Sequence, residues 1–189
     1  MKKQRIFSIL ICTTFFLVNI ITAQTQKTMQ ATIGSNGGNA SLGRFYVQVP
    51  AGALDTNTQF TLEIPTSQLP AFPKTEEFFL AQVPSVQVVS RYKIRVAVNE
   101  FRKPIQIVIP VDVPFTGNPD DYITELYIFD GSSFNTLRIG RGATNFLYEP
   151  IRLTAGGDTF IALRATVKAV TAACEAQSGV FNGAYCELP

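Results

Sequence analysis

From Met29 to Lys168 apolar side chains recur at every second position, the period of a strand with one buried face. Met29, Ala31 and Ile33 alternate before a turn at Gly34-Ser35-Asn36-Gly37-Gly38, and Phe45, Val47 and Val49 form the next run. Phe60, Leu62 and Ile64 resume the alternation beyond Val49-Pro50-Ala51-Gly52-Ala53-Leu54. Pro50 fixes φ and cannot donate to a sheet ladder, while Gly52 can adopt a φ closed to other residues. The chain must therefore leave one sheet at this corner and enter the next layer.

Pro65 to Phe78, punctuated by Pro65, Pro70 and Pro73, reads as a surface loop. Val86 and Val88 open a strand in which Ile94, Val96 and Val98 face away from Arg91, Lys93 and Arg95. A turn through Phe101-Arg102-Lys103-Pro104 leads into Ile105, Ile107 and Ile109, and the nearby Pro110 and Pro114 predict an edge or bent strand. Ile123 to Phe129 is apolar at nearly every position and predicts a central strand. Asp130-Gly131 turns it into Phe134 to Ile139, and Gly140-Arg141-Gly142 breaks that run. Phe146 to Leu153 and Thr159 to Val167 predict a last hairpin across Gly156-Gly157-Asp158. No helical period precedes Thr166. The pattern predicts an all-β fold: an antiparallel two-sheet β-sandwich of about nine strands over residues 24–169.

The N-terminus departs from this period. Lys2, Lys3 and Arg5 precede an apolar run from Ile6 to Ile21, and Thr22-Ala23 then meets polar sequence, the order of parts in a secretory signal peptide. Ser8, Thr13, Thr14 and Asn19 interrupt a run already shorter than the roughly 20 residues that span a bilayer. Cleavage after Ala23 is expected, giving a secreted or surface-located chain without a membrane span. Ile11 before Cys12 is too bulky for lipoprotein processing.

Without residues 1–23 the chain keeps 13 of its 16 basic residues and all 14 acidic ones. Near-neutral charge argues against nucleic acid, whose phosphates need a clustered basic excess. The full sequence contains no histidine, which excludes a Ser-His-Asp triad, a Cys-His pair and imidazole metal sites. Cys174 and Cys186 are the cysteines left once Cys12 is gone, and an even count in an exported chain predicts one disulfide. Within the tail, residues 170–189, the turn pairs Ser178-Gly179 and Asn182-Gly183 flank Val180-Phe181 and predict a small stapled hairpin.

Several of these segments together resemble a family. Gly37-Gly38, Pro50-Ala51-Gly52-Ala53-Leu54, the Phe101-x-Lys103-Pro104 turn and Phe129-Asp130-Gly131-Ser132-Ser133-Phe134 occur in the order seen in ZU5-like domains of exported bacterial proteins. The resemblance runs from about Ala31 to Ala165. It implies a sandwich used for attachment to other proteins. Some members of the family cleave themselves at His-Phe-Ser, an activity closed to a chain without histidine. Phe129 and Phe134 stand where relatives often carry Trp, and Val98 where Gly often precedes the turn.

Candidate chemistry is sparse. Arg91, Lys93 and Arg95 share a strand face that could meet an acidic partner, or could be a solvated face that blocks sheet-to-sheet pairing. Tyr46, opposite the Phe45, Val47, Val49 face, is the tyrosine best placed to meet a sugar. Asp120-Asp121 after Asn118 could offer oxygens to calcium but also reads as an ordinary turn. Glu76-Glu77, adjacent on a loop, cannot flank a glycosidic bond. No cofactor, metal or catalytic residue is assigned. The expectation is a non-enzymatic protein-binding or structural module acting through Pro65 to Phe78 and Thr116 to Asp121, with a carbohydrate-binding sandwich as the alternative.

Overall fold

The computed structural model describes residues 27–183, 185–187 and 189. The apolar N-terminal run, the cleavage position after Ala23 and Cys12 lie outside the described residues. Among those described are twelve strands and one α-helix: β1 (Thr28–Ile33), β2 (Gly38–Leu42), β3 (Phe45–Val49), β4 (Thr58–Glu63), β5 (Gln87–Val96), β6 (Gln106–Pro110), β7 (Tyr122–Phe129), β8 (Phe134–Arg141), β9 (Asn145–Tyr148), β10 (Asp158–Thr166), α1 (Val167–Glu175), β11 (Val180–Phe181) and β12 (Cys186–Glu187). The nine runs read from alternation are all strands. The additions are β2, whose Gly-Asn-Ala-Ser-Leu carries little apolar signal, and the two short tail strands.

A six-stranded sheet in the order β1-β4-β5-β10-β7-β8 faces a four-stranded sheet in the order β2-β3-β6-β9, and every pairing is antiparallel. The space between them is filled by side chains from alternate positions. Phe45 of the smaller sheet stacks on Tyr92 of the larger, with ring centroids 4.6 Å apart, and lies 6.2 Å from Phe160. Phe60, Leu62, Ile94, Ile107 and Ile109 are wholly buried there. Each contributes about 1.5–3 kcal/mol by leaving water.

The Pro-Gly corner connects the two layers, as its chemistry requires, because β3 belongs to the smaller sheet and β4 to the larger. Gly52 sits at φ +75° and donates its N–H to Ser35 O at 2.8 Å. A Cβ on Gly37, at φ +76°, would stand 2.6 Å from Val49 O. Only a glycine lets the first turn lie against the corner.

Four expectations need correction. Strand β6 is interior, paired with both β3 and β9, because Pro110 occupies its last position and costs the ladder little. Runs β9 and β10 do not form a hairpin; they lie in different sheets, and Gly157 with Asp158 turns the chain across the sandwich, Thr154 N–H donating to Asp158 Oδ2 at 3.0 Å. The Pro65 to Phe78 loop is not solvated throughout: Phe72 is half-buried and Phe78 buried. Finally, the tail is more than a hairpin. Thr166 caps α1 by accepting Ala169 N–H at 3.2 Å, and the helix carries Cys174 to the β11–β12 hairpin.

Cys174 and Cys186 form the expected disulfide, with Cα atoms 5.6 Å apart. Gly179 makes room for it, since a Cβ there would come within 2.7 Å of Cys186 Sγ and 2.9 Å of Cys174 Sγ. Helix, tail and the residue 69–83 segment all pack on the outer face of the six-stranded sheet, where a second apolar cluster forms around Phe78, Leu80, Tyr127, Ile161 and Val170. Strands β7 and β10 are thus covered on both faces, which is why they are buried at nearly every position and carry the unbroken apolar stretches Leu126 to Phe129 and Phe160 to Leu163. No helix among the described residues is long and apolar enough to cross a membrane.

Candidate functional site

The loop singled out in the sequence lines an open, largely apolar groove. After β4 it turns back over the outer face of the large sheet, where Phe72 stacks on Phe134 at 4.2 Å and meets Tyr127 edge-on at 5.1 Å. Beside these anchored rings, Leu69, Pro70, Pro73, Val86, Val88 and Leu163 line a groove of about 500 Å³. Val88 is 44% exposed in it, while its cross-strand partner Leu163 is buried. Lys74 and Gln82 also line the groove.

The basic strand face lies next to this groove but is largely engaged. Arg91 donates to the Ser67 carbonyl and hydroxyl, which ties it to the loop, and Arg95 pairs with Glu63 on the adjacent strand. Burial lowers the Arg91 pKa below the usual arginine value. Lys93 is half-buried opposite Glu63 in the β4–β5 register. Tyr46 is elsewhere: it projects from the smaller sheet, half-buried, and its hydroxyl accepts from Asn39 Nδ2 at 3.1 Å. The structure therefore does not join Tyr46 and the basic residues into one face.

The second candidate loop stays at the end of the sandwich. Asp120 and Asp121 are exposed in a 3₁₀ turn, Pro119–Asp121, capped by Asn118 Oδ1, which accepts Asp120 N–H at 3.2 Å. Among the described residues no group of three or more His, Cys, Asp or Glu gathers to hold a metal ion. Glu77 is exposed on another such turn, Glu76–Phe78.

The family-type motif residues gather at the opposite end. Lys103 Nζ donates to Ala51 O at 2.6 Å, Arg102 N–H donates to Ala53 O at 3.0 Å, and Phe101 is buried 6.4 Å from the Phe60 ring. Gly37, Gly38, Pro50, Ala51, Gly52, Ala53, Leu54, Phe101, Lys103 and Pro104 thus belong to one interlocked corner. Asp130 and Gly131 close the β7–β8 hairpin separately. The Asp130 carboxylate accepts the Ser133 and Ser132 N–H groups and both serine hydroxyls, which holds it well below the usual carboxylate range.

Two buried charges were not singled out in the sequence. Arg164 lies under the Phe115 ring, 4.0 Å from its centroid, and donates to the Val113 and Pro114 carbonyls, so it fastens the chain between β6 and β7. Glu125, 7% exposed, stands in the middle of β7. Both signals were legible: each is one charged residue inside a largely apolar run, where burial without a partner is costly.

No protein-family model matches the chain, and no curated protein matches it.

Proposed function

We propose that this protein is an exported, non-enzymatic binding module, a ZU5-like sandwich that holds an apolar segment of a protein partner along Leu69 to Lys74. The observation that carries the reading is Val88, nearly half-exposed on the floor of an apolar groove whose walls are pinned by the Phe72, Tyr127 and Phe134 rings. Exposed apolar surface of this kind favours a partner, and proline-rich walls order it with little entropy left to lose. The disulfide supports an oxidising destination. The missing histidine supports a role without nucleophilic catalysis.

A photo-crosslinking side chain placed at Lys74, an exposed residue lining the same groove, tests this in the producing cell. Crosslinks to a defined protein that vanish in a Val88→Glu variant of unchanged Tm support the reading. Retention on a glycan array by that same variant, with no protein crosslink, would favour the carbohydrate-binding alternative. N-terminal sequencing of the exported chain is expected to begin at Gln24.

A further inference from the structure

Four side chains stand in register across the outer face of the large sheet: Val88 on β5, Leu163 on β10, Glu125 on β7 and Ile139 on β8. Three are aliphatic and one is an acid. The segment through Phe79 and Leu80 lies over the Glu125 end of the row, and Val170 of α1 and Tyr185 of the tail complete the enclosure. Between them remains a cavity of about 210 Å³, separate from the Val88 groove. Its volume exceeds the about 150 Å³ that suffices for a benzene-sized guest.

The charge balance of this cavity is incomplete. The Tyr127 hydroxyl donates to Glu125 Oε2, yet among the described residues lining the cavity none is basic. The titratable groups that face Glu125 are Glu77 from the 3₁₀ turn, Tyr185 from the tail and Tyr127 from its own strand. The elements β8, β10 and α1 contribute Thr136 and Ile139, Leu163, and Val170. Arg141, the next charge along β8 on this face, stands opposite Ile123 and outside the lining, its Nε donating to Gly183 O of the tail at 3.3 Å. A carboxylate desolvated without a cation is costly, so the site gains by admitting one or by retaining a proton. A bare metal ion would need several oxygen ligands, which walls of Phe79, Leu80, Ile123 and Ile139 cannot supply. An ammonium group on a hydrocarbon body satisfies both halves of the pocket, and the Phe79 and Tyr185 side chains that line it can add cation–π attraction.

We propose that this cavity binds a small organic ammonium ion, with the cationic group against the Glu125 carboxylate and its apolar body between Phe79, Leu80, Ile123 and Ile139. Burial pushes the Glu125 carboxyl up to about 7, so the ligand captures the ionised form and releases a proton as it binds.

Benzylammonium is the probe, titrated calorimetrically into the whole disulfide-bonded protein at pH 6 and pH 8, with benzyl alcohol as its neutral counterpart. One saturable site is expected, about tenfold tighter at pH 8, with proton release measured in buffers of different ionisation enthalpy. Glu125→Gln, which keeps the side-chain shape, is expected to weaken binding at least about tenfold at pH 8 and to abolish the pH dependence. Ile139→Trp alters an exposed wall and is expected to block entry without unfolding the sheet. Equal binding of benzyl alcohol, unchanged binding in Glu125→Gln, or no saturable binding by the folded wild type would each overturn the proposal.

Discussion

Between its two sheets the protein packs mainly hydrocarbon against hydrocarbon, with the Tyr92 hydroxyl reaching out to the exposed Asp112, whereas the outer face of the larger sheet packs rings and aliphatics around a buried carboxyl, a tyrosine hydroxyl and a disulfide. The inner core is made chiefly by strands that face one another and are held by sheet pairing, joined by corner and loop residues such as Leu54, Phe101 and Leu153. The outer core is made by a loop, one helix and a short tail laid over β7 and β10. Its covering layer has few backbone bonds to the sheet, so covalent and ring contacts must hold it. Architecture and chemistry have thus separated: the sandwich supplies rigidity, and the covering layer supplies the groove and the cavity.

The sharpest way to break this comparison is to empty the inner core. Phe45 is wholly buried against Tyr92 and Phe160, and Phe45→Ala is expected to cost about 4 kcal/mol. Because both layers depend on the sheet, urea unfolding followed by near-ultraviolet tyrosine signal and by far-ultraviolet dichroism should shift together. Separate transitions would mean that the outer core stands on its own.

Removing the staple asks the converse question. Cys186→Ser opens a crosslink spanning a sequence separation of 12 residues, worth about 3 kcal/mol in the chain-entropy model. The loss should be local: hydrogen exchange is expected to accelerate in α1, β11 and β12 while β3, β4 and β5 keep their protection. Uniform acceleration across the sandwich would show that the two cores form one cooperative unit.

The acid in the outer core makes a pH-dependent prediction of its own. Burial raises the Glu125 carboxyl from about 4.5 to about 7, so the folded protein holds its proton more tightly than the unfolded chain does. The stabilisation from that proton is complete below about pH 4.5 and is lost as pH rises through about 7. Wild type minus Glu125→Gln should therefore lose roughly 2–3 kcal/mol of stability between these limits, read from urea midpoints. Parallel profiles for the two proteins would place the carboxyl in water.

Alternation announced the inner core because each contributing strand buries one face. Phe45, Val47 and Val49 needed no partner to be recognised, and the Pro50 to Leu54 corner declared its change of layer through the backbone chemistry of Pro50 and Gly52. The outer core was harder to read. Its contributors are neighbours only in space: Phe72 and Phe134 lie far apart in sequence, and a proline-rich segment carries no period that shows which face it covers. The largely apolar runs of β7 and β10 were the trace it left, with Glu125 and Arg164 as charged exceptions inside them. Alternation likewise gave Tyr46 the face opposite Phe45, Val47 and Val49, but not the sheet that carries it, which is the smaller one, away from the basic strand.

The smallest expected effect lies where the covering layer ends. Beyond the loop, Arg95 pairs with Glu63 on the bare part of the outer face, where the arginine side chain is 51% exposed and the glutamate 23%. Water screens such a pair and ordering two long side chains offsets part of the attraction, so Arg95→Ala should cost under about 1 kcal/mol. A stem that merely covers the sheet would lose as much as one that pairs, which a double-mutant cycle with Glu63→Gln separates. Coupling near zero would mark Arg95 as a solvated guard along the strand. Coupling above about 1 kcal/mol would extend the outer core past Ser67 and make the basic strand part of its packing.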